Sequence, residues 1–179
     1  MLLKRIVYSI VALLAIVSFI WLDYYLPSRE LVKIVGTEVK RVDGDGVITT
    51  NNPANGQIRD VYYISANRNW QNEDGKIQER VFRNEDTGWG FPFYFKFNSA
   101  DVQARAKAFE QSQELALVTT YGWRMNMFSM FPNIVSITQA TADTNTYSIR
   151  RYLGIGAWAS AFIFITVWLR KKFKKAEKE

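Results

Sequence analysis

The sequence predicts an α+β domain: a mainly antiparallel sheet of five to six strands with one packed helix, flanked by two transmembrane helices. Three observations carry that class. Two long uncharged apolar runs, 6–22 and 152–169, bracket the middle of the chain. Between them, β-branched and aromatic runs alternate with Asn, Asp, Gly and Pro clusters, the pattern of strands and turns. One stretch alone, "ADVQARAKAFEQSQE", has helical periodicity.

The first run, "IVYSIVALLAIVSFIWL", holds 17 residues without a charge. As a helix it rises about 25 Å, close to the hydrocarbon thickness. Trp21, Tyr24 and Tyr25 supply an aromatic belt and Pro27 ends the helix. A cleaved leader is the competing reading, but "FIWLDYYLP" offers no small-x-small cleavage site. The second run, "YLGIGAWASAFIFITVWL", is again uncharged and long enough to span. Lys4 and Arg5 precede the first run, and "RKKFKKAEKE" follows the second. The positive-inside rule therefore places both termini in the cytoplasm and the middle across the membrane. The expected organisation is a cytoplasmic segment 1–5, a span 6–26, an extracytoplasmic α+β domain 27–149, a span 152–169 and a basic cytoplasmic tail 170–179. Gly156 and Ser160, four apart, form a small-residue face. That face suits packing on the first span or a homodimer contact.

Within the domain, "LVKIVGTEVKRV" reads as a strand ending in the turn "DGDG". "VITT" and "QIRDVYYISA" flank the turn cluster "NNPANG", and "IQERVF" follows a polar loop. "LALVTTYGW" and "IVSITQAT" supply two later strands. The helix that precedes them is to be capped by Asn98 or Ser99, with Val102, Ala106 and Phe109 on its buried face.

The segment "GWGFPFYFKF", 88–97, puts Phe91, Phe93, Phe95 and Phe97 at every second position. Period two predicts a core strand with those four rings inward. The preceding loop, "RNEDTGWGFP", remains as a surface for a ligand, a partner or the headgroup layer. Arg83, Asn84, Glu85, Asp86 and Thr87 are its polar candidates and Trp89 its aromatic anchor.

Composition removes several chemistries. The 179 residues include no cysteine and no histidine, so disulfides, thiolate metal sites and imidazole catalysis are absent. The formal charge of +6 comes from the membrane flanks. Residues 27–149 carry 13 Lys or Arg against 14 Asp or Glu, which leaves no basic face for nucleic acid. Acidic pairs at Asp43/Asp45, Glu73/Asp74 and Glu85/Asp86 fit no calcium loop and read as turn residues. Met125, Met127 and Met130 read as adaptable core filling rather than a soft-metal site. No nucleophile elbow or phosphate loop is present. No catalytic residue, metal or cofactor is assigned. The expected partners are membrane lipid and either an envelope protein or a second copy of the chain. A carboxylate enzyme acting on envelope polymer or lipid is the alternative, and assembly through the helices a third reading.

Three blocks, "IVGTEVKRVD", "VFRNEDTGWGFPFYFKFNSADVQA" and "YGWRMNMFSMFPNIVSI", follow in that order behind the first span. On these the chain resembles, over roughly residues 5 to 140, a family of uncharacterised proteobacterial membrane proteins known as a domain of unknown function. The resemblance implies a Gram-negative inner membrane with a periplasmic domain. It implies no activity, cofactor or site residue.

Overall fold

The computed structural model describes residues 2–71 and 78–176. The expected acidic pair Glu73/Asp74 and the start of the strand at Ile77 lie outside those residues. The chain divides into two units, Pro27–Tyr147 and a helical unit made of Met1–Leu26 with Ser148–Glu179.

In the helical unit, α1 (Leu2–Tyr25) and α3 (Ile149–Ala176) have 24 and 28 residues. Both are long and apolar enough to cross a membrane. They meet through Trp158, whose indole Nε1 donates to Ser18 Oγ at 3.0 Å and whose ring lies 5.0 Å from Phe19. Asp23 accepts from the Arg151 guanidinium, so these two charges, one on each helix, are paired.

The second unit is built on β1 (Ser28–Asp43), a strand of 16 residues. Its β-branched run explains the extended conformation. A register shift between Ile34 and Gly36 lets it bend. The half before the bend pairs with β5 (Leu115–Tyr121), and the half after it pairs with β3 (Arg59–Asn67). One strand thus belongs to both sides of the sheet. β3 pairs with β4 (Glu79–Asn84), and β5 with β6 (Asn133–Gln139), all antiparallel. β4 and β6 then meet in a single parallel pair, Arg83 with Asn133. The ring β1–β3–β4–β6–β5–β1 closes the sheet into a barrel, with β2 (Gly46–Val47) a short flap on β1.

α2 (Ser99–Ser112) connects the third and fourth barrel strands. Five strands in this order, with a helix in that crossover, make the partly open Greek-key barrel of the OB fold. Sequence alternation located the strands and the packed helix; the closure is new information from the pairing. "VITT" yields only the two-residue β2 and a lone bridge from Thr49 to Asn52.

The core is where both halves of the alternation meet. Val32, Ile34, Ile64, Phe82, Val118, Ile134 and Ile137 are fully buried. Val102, Ala106 and Phe109 of α2 join them as the periodicity predicts. Each such side chain contributes roughly 1.5–3 kcal/mol by leaving water. Glu30, near the start of β1, draws Arg68 Nε to 2.7 Å and Arg80 Nε to 3.6 Å.

Candidate functional site

The segment 91–97 is not a strand, and its rings do not enter the core. Trp89 is 78% exposed, and Phe91, Phe93, Phe95 and Phe97 are each about half exposed, from 46% to 59%. The alternation is real, but its sense is inverted. Pro92 and Tyr94 are half-buried and Lys96, at 4% exposed, is the buried residue. Phe93 and Phe95 have φ of 59° and 50°, the left-handed region that an aromatic residue rarely adopts. A strand cannot contain such residues, which is why the expected core strand does not form. A backbone held there against its own preference marks a functional candidate.

The rings contact one another rather than the core. Trp89 lies 5.1 Å from Phe97 and 5.8 Å from Phe95; Phe93 lies 5.7 Å from Phe91 and 6.2 Å from Phe95. At ~200 Å² per aromatic side chain, their exposed surface is on the order of 600 Å². That equals the largest apolar patches that soluble monomers present.

Beneath the rings sits a polar lock, assembled from residues the sequence offered as guides for a partner. Asn84 is fully buried at the end of β4. Its Nδ2 donates to Ser99 O at 2.8 Å and Gln103 Oε1 at 3.2 Å, while its Oδ1 accepts from Lys96 Nζ. Lys96 Nζ also donates to Glu85 O at 3.2 Å. Thr87 and Gly88 donate their amides to Lys96 O, both at 3.1 Å, and Lys96 N donates to Thr87 Oγ1. The loop's two limbs are therefore pinned at one buried lysine. Burial pushes that amine down to about 8, against the opposing pull of Asp86 and then Glu85.

Asp86 is engaged at the start of α2. Its Oδ1 accepts the Ser99 amide and its Oδ2 the Ser99 hydroxyl, both at 2.9 Å. It thus caps α2 from outside, while Asn98 makes no side-chain cap bond. Glu85 pairs with Arg83 Nε at 3.0 Å. Its backbone is clasped by Asn133, which accepts from Glu85 N at 2.8 Å and donates to Glu85 O at 3.0 Å. Of the six loop residues singled out, Trp89 alone lies in the aromatic surface; the other five hold it in place.

Of the three methionines expected to fill the core, Met125 and Met130 are half-buried and Met127 is not buried. Met127 is 87% exposed and Phe128 is exposed beside it, so neither fills the core. They sit on the loop joining Tyr121 to Asn133, on the turn Asn126–Phe128. Tyr94 stacks on Tyr121 at 4.9 Å and 11°, so the roots of the two loops adjoin. Asp43 and Asp45 are committed to their turn: Asp43 accepts the Asn55 and Asp45 amides at 2.8 and 2.9 Å, and Asp45 accepts Asn55 Nδ2. Those bonds, the Asn55 amide foremost, hold the Asp43 carboxyl below the usual range. On α3, Gly156 has open space where a Cβ would stand. Ser160 is exposed and donates back to Gly156 O at 2.8 Å.

The aromatic surface was hidden from sequence reading because period-two phenylalanines are also how a core strand is written. The signal that could have found it was Pro92 inside the run and Lys96 on its opposite side.

No solved structure matches the chain. A curated protein of Haemophilus influenzae (strain ATCC 51907 / DSM 11121 / KW20 / Rd), described as an uncharacterized protein, is 52% identical over 121 residues. The aligned region covers 68% of this chain and 66% of that relative, so the chain spans just under two thirds of the relative's length. Residues 3–173 match a family described as a protein of unknown function, DUF1523. That match takes in both apolar helices and the whole barrel, further than the motif blocks reached. The chain belongs to the DUF1523 family of proteins of unknown function.

Proposed function

We propose that this is a non-enzymatic membrane protein of the bacterial envelope whose barrel is a docking module. The single observation that carries the reading is the aromatic loop 88–97: exposed rings on a rigid, internally hydrogen-bonded base. A flexible loop would lose entropy on docking, whereas this one is already ordered. The lock residues Arg83, Asn84, Glu85, Asp86 and Thr87 serve binding indirectly, by holding Trp89 and the phenylalanines outward. An enzyme using Glu85 and Asp86 is less well supported, because their carboxylates are engaged by Arg83 and Ser99. The fold by itself assigns no activity.

The positive-inside rule supports placing Lys4, Arg5 and the basic residues after Leu169 in the cytoplasm of the inner membrane, with the barrel in the periplasm. The test is a photoreactive side chain replacing Trp89 in the native membrane. A specific adduct, lost when the same group is placed at Lys107 on the outer side of α2, is the expected result. No adduct at position 89 removes the docking reading.

A further inference from the structure

The aromatic loop carries no outward charge. Its one cation, Lys96, is turned inward onto Asn84 and Glu85 O. The exposed face consists of Trp89, four phenylalanines and glycine. A protein partner of this area ordinarily meets a polar rim and several hydrogen bonds. Here the Trp89 indole N–H is the exposed side-chain donor, while Tyr94 is half-buried against Tyr121. Aromatic rings with few polar handles belong at the boundary between headgroups and acyl chains.

Chain connectivity supplies the second observation. Tyr94 rests on Tyr121, which follows Thr120, the residue paired with Ser28. With ~3.8 Å per residue along the chain and ~5 Å across a strand pair, the Tyr94 ring lies within about 20 Å of Ser28. A domain of this length is about 35 Å across, so Tyr94 does not lie at the end of the barrel farthest from residue 28. Between Ser28 and Tyr25, the last residue of α1, stand only Leu26 and Pro27. Three Cα steps span at most about 11 Å, so Ser28 stays within that distance of Tyr25. Met127 and Phe128 add a second apolar prong on the adjoining loop.

We propose that the loop 88–97, together with Met127 and Phe128, seats the barrel in the interfacial layer of the bilayer that the protein's own helices cross. The proposal rests on the docking reading and names the bilayer as what is docked. Because the chain has no cysteine, Phe93→Cys and Met127→Cys each give a unique labelling site at an exposed position, and Lys107→Cys on α2 serves as the control. The full chain, labelled with an environment-sensitive fluorophore, is placed in nanodiscs of phosphatidylethanolamine and phosphatidylglycerol. Labels at 93 and 127 are expected to be quenched by a headgroup-level nitroxide lipid. They are also expected to be several-fold less open to aqueous iodide than the label at 107. Equal iodide access at all three positions overturns the proposal. If position 93 is then shielded in native membranes, docking stands and a protein fills the site; if it stays open there too, both readings fall.

Discussion

Replacing Lys96 by methionine isolates the lock beneath the aromatic loop. The wild-type amine titrates at about 8 in the fold against an ordinary 10.5, because burial disfavours its charge. Between those values the unfolded chain binds more protons than the folded one, so stability rises with pH. The penalty is fully present below pH 8 and is relieved by pH 10.5. At ~1.4 kcal/mol per unit, the gain is at most about 3 kcal/mol. For a domain of this size that is a rise in Tm approaching about 10 °C. Lys96→Met removes the buried charge but leaves Asn84 Oδ1 without the donor that Lys96 provides. An unsatisfied buried acceptor costs about 1–3 kcal/mol, similar in size and opposite in sign to the relief. The variant is therefore expected to be as stable as wild type, or up to about 2 kcal/mol more so, at neutral pH. It should fall behind as the pH rises, since only wild type gains. Thermal unfolding of the full chain in detergent, followed by near-ultraviolet circular dichroism, reads both curves. Parallel curves for the two proteins from pH 8 to 10.5 would refute the buried-amine argument.

Asp86→Ala should cost about 1 kcal/mol by uncapping α2, with Asp86→Asn retaining most of it, both read by the same melts. Phe93→Gly separates stability from docking. Release from the left-handed conformation returns about 1–2 kcal/mol and glycine's extra chain entropy takes back about 0.5–1. The variant should be as stable as wild type or slightly more so, yet weaker in photocrosslinking from position 89. Phe82→Ala, in the centre of the core, should cost about 3–5 kcal/mol, and a smaller loss by urea denaturation would mean a looser barrel than described. Gly156→Leu meets open space in the chain and should leave the melting curve unchanged; a shift in sedimentation of the detergent-solubilised protein would identify that face as a contact between copies.

Local periodicity made most of the elements readable. Val32 and Ile34, Ile64 and Ala66, and the face Val102–Ala106–Phe109 all lie inward at the spacing that strand and helix require. Closure of the barrel was not readable, because it depends on β1 serving two partners and on one distant pair, Arg83 with Asn133. The length of β1 and Gly36 within it were the traces of that bend. At the aromatic segment the spacing was readable but its direction was not. A lysine among four phenylalanines looks like the outward residue until the acceptors at Asn84 and Glu85 are known. The same blindness made Arg83 to Thr87 resemble free surface polarity. Side chains that satisfy one another cannot be told from side chains awaiting a partner until the chain is folded.

The junction of β4 with β6 offers one ladder pair, the bond from Arg83 N to Pro132 O at 2.9 Å and the Asn133 clasp on Glu85. Every other neighbouring pair around the ring is a longer antiparallel ladder. Breathing motions should start where so few bonds must break together, so amide protons at 83 and 85 should exchange with solvent ahead of those in β1 and β5. The aromatic loop hangs directly from that zipper's last tooth. Whatever grips the loop will also hold the zipper shut, and slower exchange at those two amides would register occupancy at a distance from the rings themselves.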